Sequence, residues 1–134
     1  MRSGFVKINQ HRFPVLLAIS SEDQERGLMG VAWPPPAMAF IYEAPQFNTF
    51  WMKGTQSPLD IVFCLSGKIV KICDGEPNST NLIRGGMSDL VIEFPYGTCH
   101  QCMISEGQKI ELLNMAPENF SINNKLFDEL FKIK

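Results

Sequence analysis

The stretch Phe50-Trp51-Met52-Lys53-Gly54-Thr55-Gln56-Ser57-Pro58-Leu59-Asp60 gathers an indole, an ammonium, a hydroxyl and a carboxylate around one short polar turn. Such groups could stack a flat ring, hold an anion and exchange hydrogen bonds with a small polar molecule. Upstream, Glu25-Arg26-Gly27-Leu28-Met29-Gly30 adds the guanidinium of Arg26, a group suited to a carboxylate. The candidate ligand-binding set is therefore Arg26, Trp51, Lys53, Thr55 and Asp60. Each also has a plainer use. Trp51 reads as core or rim packing, Lys53 and Asp60 as a solvated surface pair, and Thr55 as a hydroxyl cap on the turn. Arg26 suits the negative end of a helix dipole, and Glu93, between apolar neighbours, reads as a partly buried partner for Arg26 or Lys53.

Cys99-His100-Gln101-Cys102 has the spacing of a metal knuckle or a redox pair, and Cys64 and Cys73 would in principle complete four ligands. The strand pairing expected below sets Cys64 and Cys73 four rungs apart on one face, on the order of 13 Å, too far for a disulfide. A lone CxxC is a weak zinc signal, so Cys99 and Cys102 are weak metal candidates beside a disulfide or redox use. Free thiols are the favoured reading, with no cofactor expected. The two histidines, His11 and His100, sit in no HExxH or nucleophile context, and no phosphate-cradling glycine loop precedes a helix. Asp60 or Glu93 could serve as acid or base in a hydrolase, although nothing in the spacing gives them the separation that glycoside hydrolysis needs.

The elements that must position these groups are mostly strands. Phe5 to Ile8 and Phe13 to Ile19 flank the loop Asn9-Gln10-His11-Arg12 as a hairpin. Ser21 reads as a helix N-cap with Gln24 completing a capping box, and the short helix runs from Glu22 to about Met29 before the glycines stop it. Val31 to Pro36, with three consecutive prolines, must be an extended loop. Met38 to Tyr42 and Phe47 to Met52 read as separate strands with a turn at Pro45. Pro58 to Leu65 and Lys68 to Cys73 flank Ser66-Gly67 as a hairpin, in which Phe63 faces Val70 and Ile61 faces Ile72 on the core side. Val62, Cys64, Ile69, Lys71 and Cys73 then occupy the other side. Asp74 to Gly86 reads as a long surface loop, Leu90 to Phe94 as a strand, Tyr96 to Ser105 as a compact turn or short helix, and Gln108 to Leu113 as the last strand. Leu126, Phe127, Leu130, Phe131 and Ile133 recur at helical spacing and predict a short C-terminal amphipathic helix. The chain thus divides into a β domain over residues 1–115 and an extension over 116–134.

At 134 residues and 45% hydrophobic content, one domain can bury a sizeable core without disulfides or metal. A net charge of −2 and a pI near 5.6 give no basic field, so nucleic acid is not an expected partner. Phe13 to Ile19 is too short and Pro-interrupted for a signal-peptide core, and no run approaches the roughly 18 apolar residues of a membrane span. The sequence predicts a soluble, cytoplasmic protein with no membrane partner.

The segments Glu25-Arg26-Gly27-Leu28-Met29-Gly30, Met38-Ala39-Phe40-Ile41, Phe50-Trp51-Met52-Lys53-Gly54-Thr55 and Pro58-Leu59-Asp60-Ile61-Val62-Phe63 arrive in the order and spacing of the DUF192 family. With Leu90-Val91-Ile92-Glu93-Phe94-Pro95-Tyr96-Gly97 and Gly107, the chain resembles that family from about residue 6 to residue 113. The resemblance implies a mainly β fold: a small barrel-like or sandwich-like single domain with one short helix near the N-terminus. It implies no reaction. Two positions depart from the family pattern, Gly54 where relatives commonly carry Asn and Val31 where a basic residue is common. The functional expectation is a non-enzymatic binding module for a small polar ligand or peptide. The alternative is an interaction or assembly protein, a possible homo-oligomer through the C-terminal helix; the third choice is the hydrolase.

Overall fold

The computed structural model describes residues 1–113. They form a single seven-stranded sheet, curled into a half-barrel, in the order β5-β4-β6-β3-β2-β1-β7. In chain order these are β1 (Arg2–Ile8), β2 (His11–Ala18), β3 (Ala37–Phe50), β4 (Leu59–Leu65), β5 (Lys68–Gly75), β6 (Ile83–Pro95) and β7 (Ile110–Leu113). Two short helices interrupt them, α1 (Ser21–Arg26) and α2 (Thr98–Gln101). The curl brings the two edge strands together at one end. Lys68 bridges Lys109, Ile69 N–H donates to Gln108 O at 2.9 Å, and Ile110 N–H donates to Gly67 O at 2.9 Å. The sheet is therefore of the barrel-like kind, and not a sandwich of two. The expected C-terminal helix and the extension from residue 116 lie outside the described residues.

Both faces of the central strands are buried, because alternate side chains feed two separate clusters. Val62, Cys64, Ile92, Phe94, Ala37, Ala39 and Phe13 pack inside the curl, where the Phe13 and Phe94 rings meet edge to face at 4.9 Å. Leu59, Ile61, Phe63, Met38, Phe40 and Val91 point outwards and are roofed by Leu28 and Met52. β4 reads as an almost unbroken apolar run for this reason.

Several local expectations need correction. The helix N-cap is Ser20, whose hydroxyl accepts from Asp23 N–H at 3.1 Å, and α1 ends at Arg26 with Gly27 at φ 51°. Gln24 forms no capping box; its side-chain amide donates to Ala18 O and Ile41 O, which pins α1 to the end of β2 and to β3. The first hairpin turns on Asn9-Gln10 alone, with Asn9 at φ 57°. Pro45 does not end a strand: β3 continues through it, with the pairing to β6 slipping between Ile41 and Gln46. A proline is tolerated there because an irregularity does not need its missing N–H.

The Ser66-Gly67 turn is as expected, both residues having positive φ, but the register beyond it is not. A bulge at Val70 pairs Phe63 with Lys71, Val62 with Ile72 and Ile61 with Cys73. Cys64 therefore joins the interior cluster while Cys73 packs against the outer one, so the two lie on opposite faces. The loop expected from Asp74 to Gly86 shrinks to residues 76–82, its ends being absorbed into β5 and β6.

Candidate functional site

β2 pairs with β3 only as far as Phe40, so the distal half of β3 has β6 on one side and no strand on the other. The space beside it is occupied by α1 and the residues that follow, and between these parts lies a cleft of about 390 Å³. That is within the size range of small-molecule sites. Arg26, Trp51, Lys53 and Thr55 all line it, together with Glu93. Asp60 does not.

Local backbone geometry holds the two family segments against one another. Gly30 N–H donates to Gly54 O at 2.9 Å, which ties the end of the 25–30 segment to the turn after β3. That turn is closed by Thr55 backbone: its N–H donates to Met52 O, and its carbonyl accepts from Asn78 N–H, both at 2.9 Å. Thr55 is thus a buried wall of the cleft, and it is its backbone that closes the turn. Gly54 has φ 71°, a left-handed conformation that glycine and asparagine adopt with least penalty. The asparagine that the resemblance leads one to expect here is compatible with the same backbone conformation.

Trp51 is 48% exposed, and Lys53 Nζ sits 5.3 Å from its ring centroid, a cation–π contact on the cleft rim. Arg26 lies on the last turn of α1 on the opposing wall. Lys53 and Asp60 do not pair. Asp60 points into the other end of the curl, where its carboxylate accepts from Gly97 N–H at 3.1 Å and Cys99 N–H at 2.9 Å. Burial raises the Asp60 pKa even so, against the lowering effect of its bonds with Cys99.

The polar group most enclosed by the cleft is Glu93, 4% exposed. A methyl added at Gly27 would stand 3.6 Å from the Phe40 ring and 3.8 Å from Glu93 Oε1, so the carboxyl lies directly beneath the glycine that ends α1. Among the described residues neither Arg26 nor Lys53 pairs with it, which corrects the expected ion pair. Burial alone pushes the Glu93 carboxyl up to about 8, so it is mostly protonated at neutral pH. Tyr42, another lining residue, is raised to about 12 by its own burial and then by the nearby Glu93 charge.

Three further lining residues carry no signal that would single them out in the sequence. Asn48 is buried and donates to Ser88 Oγ at 2.7 Å, and Gln46 in turn donates to Asn48 Oδ1 at 2.8 Å, so two rim amides are already fixed. Phe47, 78% exposed, places a bare ring on the same rim. Asn48 and Phe47 are found only by knowing that β3 outruns its neighbour. Glu93 was legible as an acid within an apolar strand, but not as part of this site.

The cysteines gather into no metal centre: among the described residues no group of three or more His, Cys, Asp or Glu side chains is placed to hold an ion. Cys99 and Cys102 sit near one another as free thiols at the α2 end, and burial raises both pKa values, Cys99 further through Asp60. A thiol held protonated is a poor nucleophile.

Residues 4–112 match the model of the DUF192 family, described as an uncharacterized ACR. No curated protein matches the chain. Among solved structures, a proposed transcription regulator from Sinorhizobium meliloti 1021 is similar at 28% identity and a TM-score of 0.75, over 82% of this chain and 93% of that one. A protein of unknown function from Novosphingobium aromaticivorans DSM 12444 is similar at 28% identity and a TM-score of 0.71, over 81% and 83% of the two chains.

Proposed function

This chain belongs to the DUF192 family, and from that footing we propose that it is a binding module whose cleft beside β3 holds a small polar ligand or peptide, and that it is not an enzyme. The observation that carries the reading is Glu93. A carboxyl buried without a cation is costly, and such a group lining a cleft is stabilised when a ligand arrives to satisfy it. The rim supports the same reading, since Trp51 and Phe47 present exposed rings where single large apolar side chains would otherwise gain nothing.

A hydrolytic reading that pairs Asp60 with Glu93 loses support because the two do not face a common space. Nor is the description of the Sinorhizobium protein carried over to this chain. The net charge is −2, and among the described residues the helices are of six and four residues, too short to read a major groove. Among those residues no helix is long and apolar enough to cross a membrane.

Indole fluorescence tests the proposal, because the chain has two tryptophans and a Trp33→Phe variant reports on Trp51 alone. A panel of amino acids, sugars and nucleosides should contain a member that shifts Trp51 emission saturably, with the effect lost in Lys53→Ala. A panel in which no member moves Trp51 overturns the reading.

A further inference from the structure

The two ends of the cleft differ in chemistry. Arg26 and Lys53 stand exposed on its rim, and among the described residues neither makes an ion pair. Beneath Gly27 the acidic Glu93 lies beside the Phe40 ring, with Tyr42 near enough to feel its charge, and Phe50 packs edge to face on Phe40. Glu25 also lines the cleft, so the rim carries two positive side chains and one negative: a plain cation drawn to Glu93 meets a net positive rim, and a plain anion held there leaves Glu93 without a partner. A molecule carrying both charges satisfies both ends. Aromatic walls around an ammonium add a cation–π attraction that a neutral hydroxyl would not receive.

We infer that the ligand is a zwitterion of the α-amino acid class, free or at the end of a short peptide, with its ammonium on Glu93 and its carboxylate toward Arg26 and Lys53. This rests on the binding-module reading and narrows it. Leu28, Met29 and Phe47 line the remainder of the cleft and favour an apolar side chain. Binding converts Glu93 from acid to carboxylate, and the proton leaves to the buffer while the ammonium stays charged. The titratable groups that line the cleft with Glu93 are Tyr42 from β3, Glu25 and Arg26 from α1, and Lys53 from the turn, of which Tyr42 feels the Glu93 charge. Its partners across the sheet, Met38 and Ile61, are apolar.

Calorimetry on the whole chain near neutral pH, in two buffers of different ionisation enthalpy, tests this with leucine, N-acetyl-leucine, leucinamide and glucose. Leucine should bind at least about tenfold more tightly than either derivative, as loss of one charge-assisted contact requires. It should release about one proton per complex. Glu93→Gln should abolish the release, and Arg26→Ala with Lys53→Ala, both at exposed positions, should bring leucine down to the affinity of leucinamide. Equal binding of leucine and N-acetyl-leucine, or binding with no proton released, overturns the inference. If glucose alone binds, the zwitterion is wrong and the binding module stands; if no member of this set or the wider panel binds, both fail.

Discussion

Asp60 and Glu93 lie one register step apart on neighbouring strands and point to opposite faces of the sheet. Ile61 is the residue directly across from Glu93, while Asp60 is across from Phe94. Since successive side chains alternate between faces, Glu93 enters the outer cleft and Asp60 enters the curl. These two buried acids therefore have separate consequences. One is a hydrogen-bond acceptor that organises α2; the other is a buried acid beneath Gly27 that lines the cleft.

For Glu93 the raised pKa fixes the sign of a pH effect. The folded state binds a proton that the unfolded chain has released, so stability is fully present below the unfolded value of 4.5 and is lost as pH rises to about 8. Urea unfolding should show the wild type losing a few kcal/mol across that window and Glu93→Gln a much flatter profile. Parallel profiles would mean that the carboxyl is not held neutral.

Asp60 behaves differently because two backbone donors depend on it. Asp60→Ala strands Gly97 N–H and Cys99 N–H in a closed environment and should destabilise by about 2–4 kcal/mol. The loss should leave amide resonances around Trp51 in place, since Asp60 is no part of the cleft. A change under about 0.5 kcal/mol, the usual range for an ordinary surface site, would contradict the capping role.

At Gly54 the backbone, and no side-chain chemistry, sets what is allowed. Gly54→Asn should be close to neutral, because asparagine accepts positive φ and the closest obstacle, Met29 Cε at 2.9 Å, is the free end of a flexible side chain. Gly54→Val should cost on the order of 1–3 kcal/mol. Thermal denaturation distinguishes the two, and equal losses would sink the explanation.

Gly85 on β6 lies flat against the Phe63 ring, and an added methyl there would overlap the ring itself. Phe63 cannot give way easily, being fully buried and edge-on to Phe50 at 5.7 Å. Gly85→Ala should therefore cost about 1–3 kcal/mol, read from the urea midpoint. A neutral result would show that the ring has room to turn.

The family, the mainly β class, the two-residue turn at Ser66-Gly67 and the gathering of Arg26, Trp51, Lys53 and Thr55 were legible in the residues alone. These follow from local signals: turn residues with forced φ, alternating apolar residues and segments in a set order. The remainder depended on how distant strands pair. The bulge at Val70 moved Cys64 and Cys73 to opposite faces, the uneven lengths of β2 and β3 opened the cleft, and the pairing of β4 with β6 separated Asp60 from Glu93. Each is a matter of register. Side chains alternate with period two, so a shift of one residue between strands distant in sequence reverses which face a group occupies, and no local signal carries that information.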